Sequence, residues 1–160
     1  MLDRSKEKEL LDLGDAYYTE LEFVDCQKKL FRINKFLGIF NSTLKIIKNL
    51  KNTHSIMDVG CGGGLFILNL SHHFPKIQFI GNDISQAAIT LALTERKDMA
   101  ISESQVKFQL LPEPKLPPDK NSVDIILATM VCHHMSDPEL IIFLKQAINI
   151  AKDRVIINDL

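Results

Sequence analysis

Residues 55–64 read Ser55-Ile56-Met57-Asp58-Val59-Gly60-Cys61-Gly62-Gly63-Gly64, and the fold follows from how that run changes character. A short, largely apolar stretch suits a strand, and the glycines behind it suit a turn too tight for Cβ atoms. The same alternation repeats outward from there. Residues 77–81, 106–110, 123–130 and 154–158 read as further strands, rich in Ile and Val as strands covered on both faces should be. Helical segments lie between them at 64–74, 86–100 and 138–151. Ser85 and Asp137 stand where N-caps would, with Pro138 at the first helical position. Pro112, Pro114, Pro117 and Pro118 exclude a regular helix from the third connection and imply an extended loop.

This pattern predicts an α/β fold: a Rossmann-like open parallel sheet with helices on both faces and a ligand site beyond the carboxyl ends of its strands. The first fifty residues differ. Apolar residues fall at helical intervals at Leu10, Leu13 and Tyr17, then Leu30, Ile33 and Leu37, then Leu44, Ile47 and Leu50. Gly14 and Gly38 read as breaks, and Asn41-Ser42-Thr43 as the N-cap of the third segment. The expected organisation is an N-terminal helical cap, 1–50, on a cofactor-binding core, 51–160, in a single globular unit.

Composition narrows the function. With 160 residues, 46% of them apolar and 24% charged, the chain has the balance of one ordinary domain. Nineteen basic and twenty acidic residues nearly cancel, which leaves no basic footprint for nucleic acid. The longest apolar stretch, 123–132, is too short to span a membrane, and the charged first fifteen residues do not resemble a secretory signal. Cys26, Cys61 and Cys132 are sparse and show no CxxC spacing, so neither a disulfide framework nor a metal site is expected. These readings predict a cytoplasmic protein that engages neither membrane nor nucleic acid.

The glycines are spaced Asp58-x-Gly60-x-Gly62-x-Gly64. A dinucleotide fingerprint, GxGxxG, would need glycine where Leu65 stands, which argues against an NAD-dependent oxidoreductase. Asp83 falls at the end of the next strand, where a carboxylate can accept hydrogen bonds from both ribose hydroxyls of an adenosine-type ligand. The plainer alternatives are a structural turn for the glycines and a helix cap for Asp83, although Ser85 is already a competent cap.

The segments DVGCGGG and FIGNDIS resemble the first two motifs of class I S-adenosylmethionine-dependent methyltransferases of the small-molecule type. Residues 116–124 resemble the family's approach to its fourth strand, and Val131-Cys132-His133-His134-Met135 the paired-histidine segment behind it. The likeness covers residues 55–160. It implies S-adenosyl-L-methionine as cofactor, a small-molecule substrate, and methyl transfer by in-line attack on the sulfonium methyl. Asp58 would then orient the glycine loop and meet the cofactor's amino group. Gly60, Cys61 and Gly62 would lie against its methionine portion, and Gly64 would permit close helix approach. Asp83 would hold the ribose, Ile84 the adenine face, and Ala128 and Thr129 the methionine end. Relatives often carry an acidic residue followed by a small one after strand three. Here Leu111-Pro112-Glu113-Pro114 makes Glu113 an approximate substitute for the adenine contact.

His134 is the candidate catalytic residue. A histidine at that edge suits a general base for a hydroxyl substrate, and the alternative is a pair of rings that only closes the loop. His72 and His73 read as surface residues, Cys26 and Cys132 as buried small hydrophobes, and Cys61 as a structural residue small enough for the glycine loop. Phe31, Phe36 and Phe40 read as core, and the neighbouring Lys28, Lys29, Arg32 and Lys35 as a solvated helix face. The family normally continues beyond the fifth strand, whereas only Asp159 and Leu160 follow it here. That predicts a truncated fold whose apolar fifth-strand edge self-associates. A non-catalytic S-adenosylmethionine-binding module is the competing function.

Overall fold

A computed structural model describes residues 18–111, 116 and 122–159. Five parallel strands form one sheet in the order β3-β2-β1-β4-β5: β1 (Ser55–Val59), β2 (Gln78–Asp83), β3 (Val106–Leu110), β4 (Val123–Thr129) and β5 (Ala151–Asn158). Preceding and connecting them are helices α1 (Glu20–Phe36), α2 (Ile39–Lys48), α3 (Leu65–His73), α4 (Gln86–Asp98) and α5 (Asp137–Ile150). β1 is central, so the loop behind it opens at the middle of the carboxyl edge.

Side chains alternate across the pleat and feed two cores. Ile56, Phe79, Ile125, Leu127 and Ile156 pack with Phe66, Ile67, Leu68 and Leu70 of α3 and with Phe40 and Ile47 of α2. Met57, Ile126 and Ala128 face the other way, onto Phe143, Ala147 and Ile150 of α5. Helices therefore cover both faces, as the near-continuous apolar strands predict. At the opposite edge from the glycine loop, Asp124 Oδ2 accepts from the His54 N–H at 2.7 Å, the Ser55 N–H at 2.9 Å and the Ser55 hydroxyl at 3.1 Å. Burial pushes this carboxyl up, but those donors and nearby Lys152 outweigh it and hold it below the usual carboxylate range.

Helix α1 departs from expectation. A reciprocal Thr19–Glu22 capping box starts it, and its buried residues are Phe23 and Asn34. Phe23 packs on Ala88 and Leu91 of α4, and Phe31 meets Phe40 and Phe66 edge-on. The stripe expected to face inward is exposed: Leu30 at 36%, Ile33 at 51% and Leu37 at 52%. Phe36, expected in the core, is 89% exposed, because it lies off the Phe23–Phe31 face. Lys28 pairs with Glu95, Lys29 with Asp25, and Lys35 lies over the Phe31 ring.

The caps also shift. Gly38, at φ +79°, immediately precedes α2, so Asn41, Ser42 and Thr43 lie inside the helix rather than capping it. Ser136 caps α5 reciprocally with Glu139, and Asp137 is its first residue. Ser85 caps α4 as expected, accepting from the Ala88 N–H at 3.2 Å. Cys61 and Cys132 are buried, Cys26 is only half-buried, and among the described residues no disulfide joins any of them. His72 and His73 are exposed. The readings at Leu10, Leu13, Gly14, Tyr17, Glu113 and the four loop prolines fall outside the described residues. Among the described residues, no helix is long and apolar enough to cross a membrane.

Candidate functional site

The loop from Gly60 to Gly64 leaves β1 and folds back over the end of β2. The Gly60 and Cys61 N–H groups both donate to the Asn82 carbonyl, at 2.8 and 3.0 Å. Three of the four glycines adopt positive φ: +68° at Gly60, +53° at Gly62 and +74° at Gly64. That conformation explains the residue choice, since L side chains are strained there. Space is short as well, and the chain itself takes it up. A Cβ at Gly60 would stand 2.5 Å from Val131 Cγ2, one at Gly62 2.5 Å from Gln27 Oε1, and one at Gly64 2.6 Å from Phe108 Cζ.

Asp83 ties the loop to β2. Its Oδ2 accepts from the Gly62 N–H at 2.8 Å and its Oδ1 from the Ser85 N–H at 2.9 Å. Each carboxylate oxygen keeps further acceptor capacity after one such bond. Burial raises its affinity for a proton, and the backbone donors at Ser85, Gly62 and Ile84 work against that. Ile84 beside it is 64% exposed and offers an apolar surface at the rim.

Asp58 lies deeper, 2% exposed, and its Oδ1 has no hydrogen-bond partner among the described residues. Burial first, then the neighbouring charge of Asp83, drives its carboxyl well above the usual carboxylate range. An acceptor in that condition is matched by a cationic donor arriving from outside. Cys61, also buried, has its thiol raised well above the ordinary value by burial and then by Asp58 and Asp83, which disfavours the nucleophilic thiolate.

At the end of β4 the two expected contacts separate. Ala128 is 1% exposed and its methyl belongs to the core against α5. Thr129 is half-buried, and its hydroxyl accepts from Asn158 Nδ2 at 3.1 Å. The same amide donates to Thr43 Oγ1 at 3.1 Å, joining α2, β4 and β5. Met130 follows with φ +57°, and a short 3-10 turn spans Cys132–His134. His134 is exposed, its ring 4.0 Å from that of His133. His133 is held by Asp159, whose Oδ2 accepts its N–H at 2.9 Å and whose Oδ1 lies 2.6 Å from Nδ1.

The structure thus brings Asp58, Gly60, Cys61, Gly62, Gly64 and Asp83 into one loop system. It adds residues that the sequence reading missed. Gln27 of α1 accepts from the Gly63 N–H at 3.0 Å. Asn82 is fully buried with neither side-chain polar atom partnered among the described residues, a polar residue that stands out in the apolar run FIGND. Asp159 could have been noticed as an acid at the carboxyl edge. Among the described residues no cluster of His, Cys, Asp or Glu is placed to hold a metal ion.

A family model described as a methyltransferase domain matches residues 56–154. An uncharacterized methyltransferase of Schizosaccharomyces pombe is 31% identical over 97 residues, covering 58% of this chain and 35% of that protein. An uncharacterized protein of Rickettsia prowazekii is 34% identical over 55 residues, covering 34% of this chain and 22% of that one. The chain therefore spans about a third of the first curated relative and under a quarter of the second. Among solved structures, a SAM dependent methyltransferase from Aquifex aeolicus superimposes with a TM-score of 0.62 at 23% identity, covering 84% of this chain and 68% of that one. The magnesium protoporphyrin IX methyltransferase of Synechocystis, solved with bound SAM, gives 0.65 at 19% identity, covering 84% and 62%. At those identities the likeness is one of fold.

Proposed function

This chain belongs to the methyltransferase-domain family, and from that premise we propose that it binds S-adenosylmethionine at the glycine loop and methylates a small molecule. The observation that carries the reading is the buried Asp58 carboxyl, whose Oδ1 has no partner among the described residues. The α-ammonium of the cofactor would supply the missing donor. Asp83, already holding the loop through Gly62, would take the ribose hydroxyls with its remaining acceptor capacity. Ile84 would lie against the adenine, and Thr129 and the backbone of Ala128 near the methionine end. When bound, the cofactor supplies a methyl group activated by its sulfonium. The residues of this chain supply position: methyl transfer depends above all on holding the acceptor in line with that methyl. The paired histidines, at the same edge as the loop, would line the acceptor's side.

Calorimetric titration with S-adenosylmethionine and with NAD tests the reading. S-adenosylmethionine is expected to bind and NAD to give no heat. Asp83→Ala should weaken binding by about 1.5–3 kcal/mol, the range for a hydrogen bond to a charged group. Binding of NAD alone would overturn the proposal, and an unchanged affinity in the folded variant would place the ribose elsewhere.

A further inference from the structure

We propose that the outer face of α1, together with the lysines that follow it, docks on an anionic lipid bilayer. Such docking does not depend on the methyltransferase reading. The near-zero net charge of the chain conceals a segregation: residues 26–51 carry seven of its nineteen basic residues and none of its twenty acidic ones. All seven are exposed. Lys28 and Lys29 pair with Glu95 and Asp25, and Lys35 lies over the Phe31 ring. Arg32, Lys45, Lys48 and Lys51 form no ion pair among the described residues. Apolar residues stand among these cations. Lys29, Arg32, Ile33, Phe36 and Leu37 recur at i, i+3, i+4, i+7 and i+8, the spacing of one helix face. Ile33, Phe36 and Leu37 are each more than half exposed, which a face that only met water would not require. The opposite face carries Gln27 and Phe31, which hold α1 to the glycine loop, α2 and α3.

The mixture selects the partner. An interfacial helix gives its cations to lipid headgroups and sets its apolar side chains among the acyl chains just beneath them. Each Lys or Arg near an anionic surface strengthens binding about fivefold. Nucleic acid would take the cations, but its phosphates offer Ile33, Phe36 and Leu37 nothing to bury against. A second copy would bury those three, but a twofold axis would bring the same cationic faces together. An anionic bilayer satisfies both halves. No described helix is long and apolar enough to cross it, so α1 would lie in the surface rather than span it. The Gln27–Gly63 bond, on the inner side of α1, would stay in place.

The chain contains no tryptophan, so Phe36→Trp places a single reporter at the most exposed apolar position of the face. Its emission should shift to the blue on vesicles of equal parts phosphatidylcholine and phosphatidylglycerol, and the wild-type chain should co-sediment with them. Vesicles of phosphatidylcholine alone should bind far less, and added salt should release the protein. Phe36→Ser should weaken binding about tenfold, because a side chain buried in the bilayer is lost. The triple variant Lys45→Gln, Lys48→Gln, Lys51→Gln should weaken it about a hundredfold. All four positions are exposed, and circular dichroism checks that each variant folds. The proposal is overturned by no binding to the mixed vesicles, by equal binding to both kinds, by an unmoved Trp emission, or by Phe36→Ser binding as tightly as wild type. Tighter binding to duplex DNA at the same salt would give the face to nucleic acid instead. Light scattering that shows a dimer dissolved by Phe36→Ser would give it to a second copy, and either result also overturns the proposal.

Discussion

Replacing Asp58 by Asn should move stability and affinity in opposite directions. In the ligand-free protein the side chain is 2% exposed, its Oδ1 is unpartnered, and Asp83 adds negative charge nearby. An unsatisfied buried polar group costs about 1–3 kcal/mol, and more if charged. The folded carboxyl binds its proton more tightly than the unfolded one, whose pKa is about 3.9. Stability should therefore fall as pH rises from about 4 towards the raised folded value. Asn cannot ionise, so the variant should lose that slope. At pH 7 it should gain about 1–3 kcal/mol, several degrees in melting temperature for a chain of this size. With cofactor the sign reverses. Loss of a charge-assisted bond to the ammonium should weaken binding by about 1.5–3 kcal/mol, roughly ten- to hundredfold. Thermal melts from pH 4 to 8 and calorimetric titration of both proteins supply the two halves. Unchanged affinity, or an Asp58→Asn variant less stable than wild type at neutral pH, would refute the reasoning.

Two further outcomes follow from the loop and from the far edge of the sheet. Gly62→Val places a β-branched residue at φ +53° with its Cβ 2.5 Å from Gln27 Oε1, so cofactor binding should be lost while circular dichroism still reports a folded sheet. Retained binding would make the loop an ordinary turn. Asp124→Ala removes the acceptor for His54 and Ser55 and should destabilise by about 1.5–3 kcal/mol at neutral pH without altering cofactor affinity. Because its folded pKa is depressed, its contribution is complete above about pH 4 and disappears as pH falls through the lower folded value. Urea melts of variant and wild type should converge in acid, and a constant gap down to about pH 2 would refute the assignment.

The sheet and its three connecting helices were legible because apolar strands at regular spacing have few other solutions. The Asp58–Gly64 run and Asp83 were legible because tight turns and strand-end acids leave a local signature. Helix α1 was not. Its inward face runs Phe23, Gln27, Phe31, Asn34, two apolar and two polar residues, while Leu30, Ile33 and Leu37 form the cleaner stripe and face outward. Periodicity counts apolar residues and so picked the wrong face. Gln27 is polar because its task is to accept a hydrogen bond from the loop, and no local pattern announces a partner 36 residues away. The histidine pair was visible, but the carboxylate that holds His133 lies 26 residues further on, at Asp159.

The double donation by Asn158 bears on the order in which the molecule assembles. Its bonds to Thr43 and Thr129 close loops of 115 and 29 residues, and the Gln27–Gly63 bond closes one of 36. The bond to Thr43 spans more sequence than the 69 residues between paired Ile56 and Ile125, so it is made late, after nearer pairings have already reduced the chain entropy that must be lost. Collapse of the apolar strands therefore precedes completion of the site. In refolding, protection of amides in β1 and β4 should run ahead of recovered ligand binding. The ligand then reports arrival at the native state, where secondary structure reports only collapse.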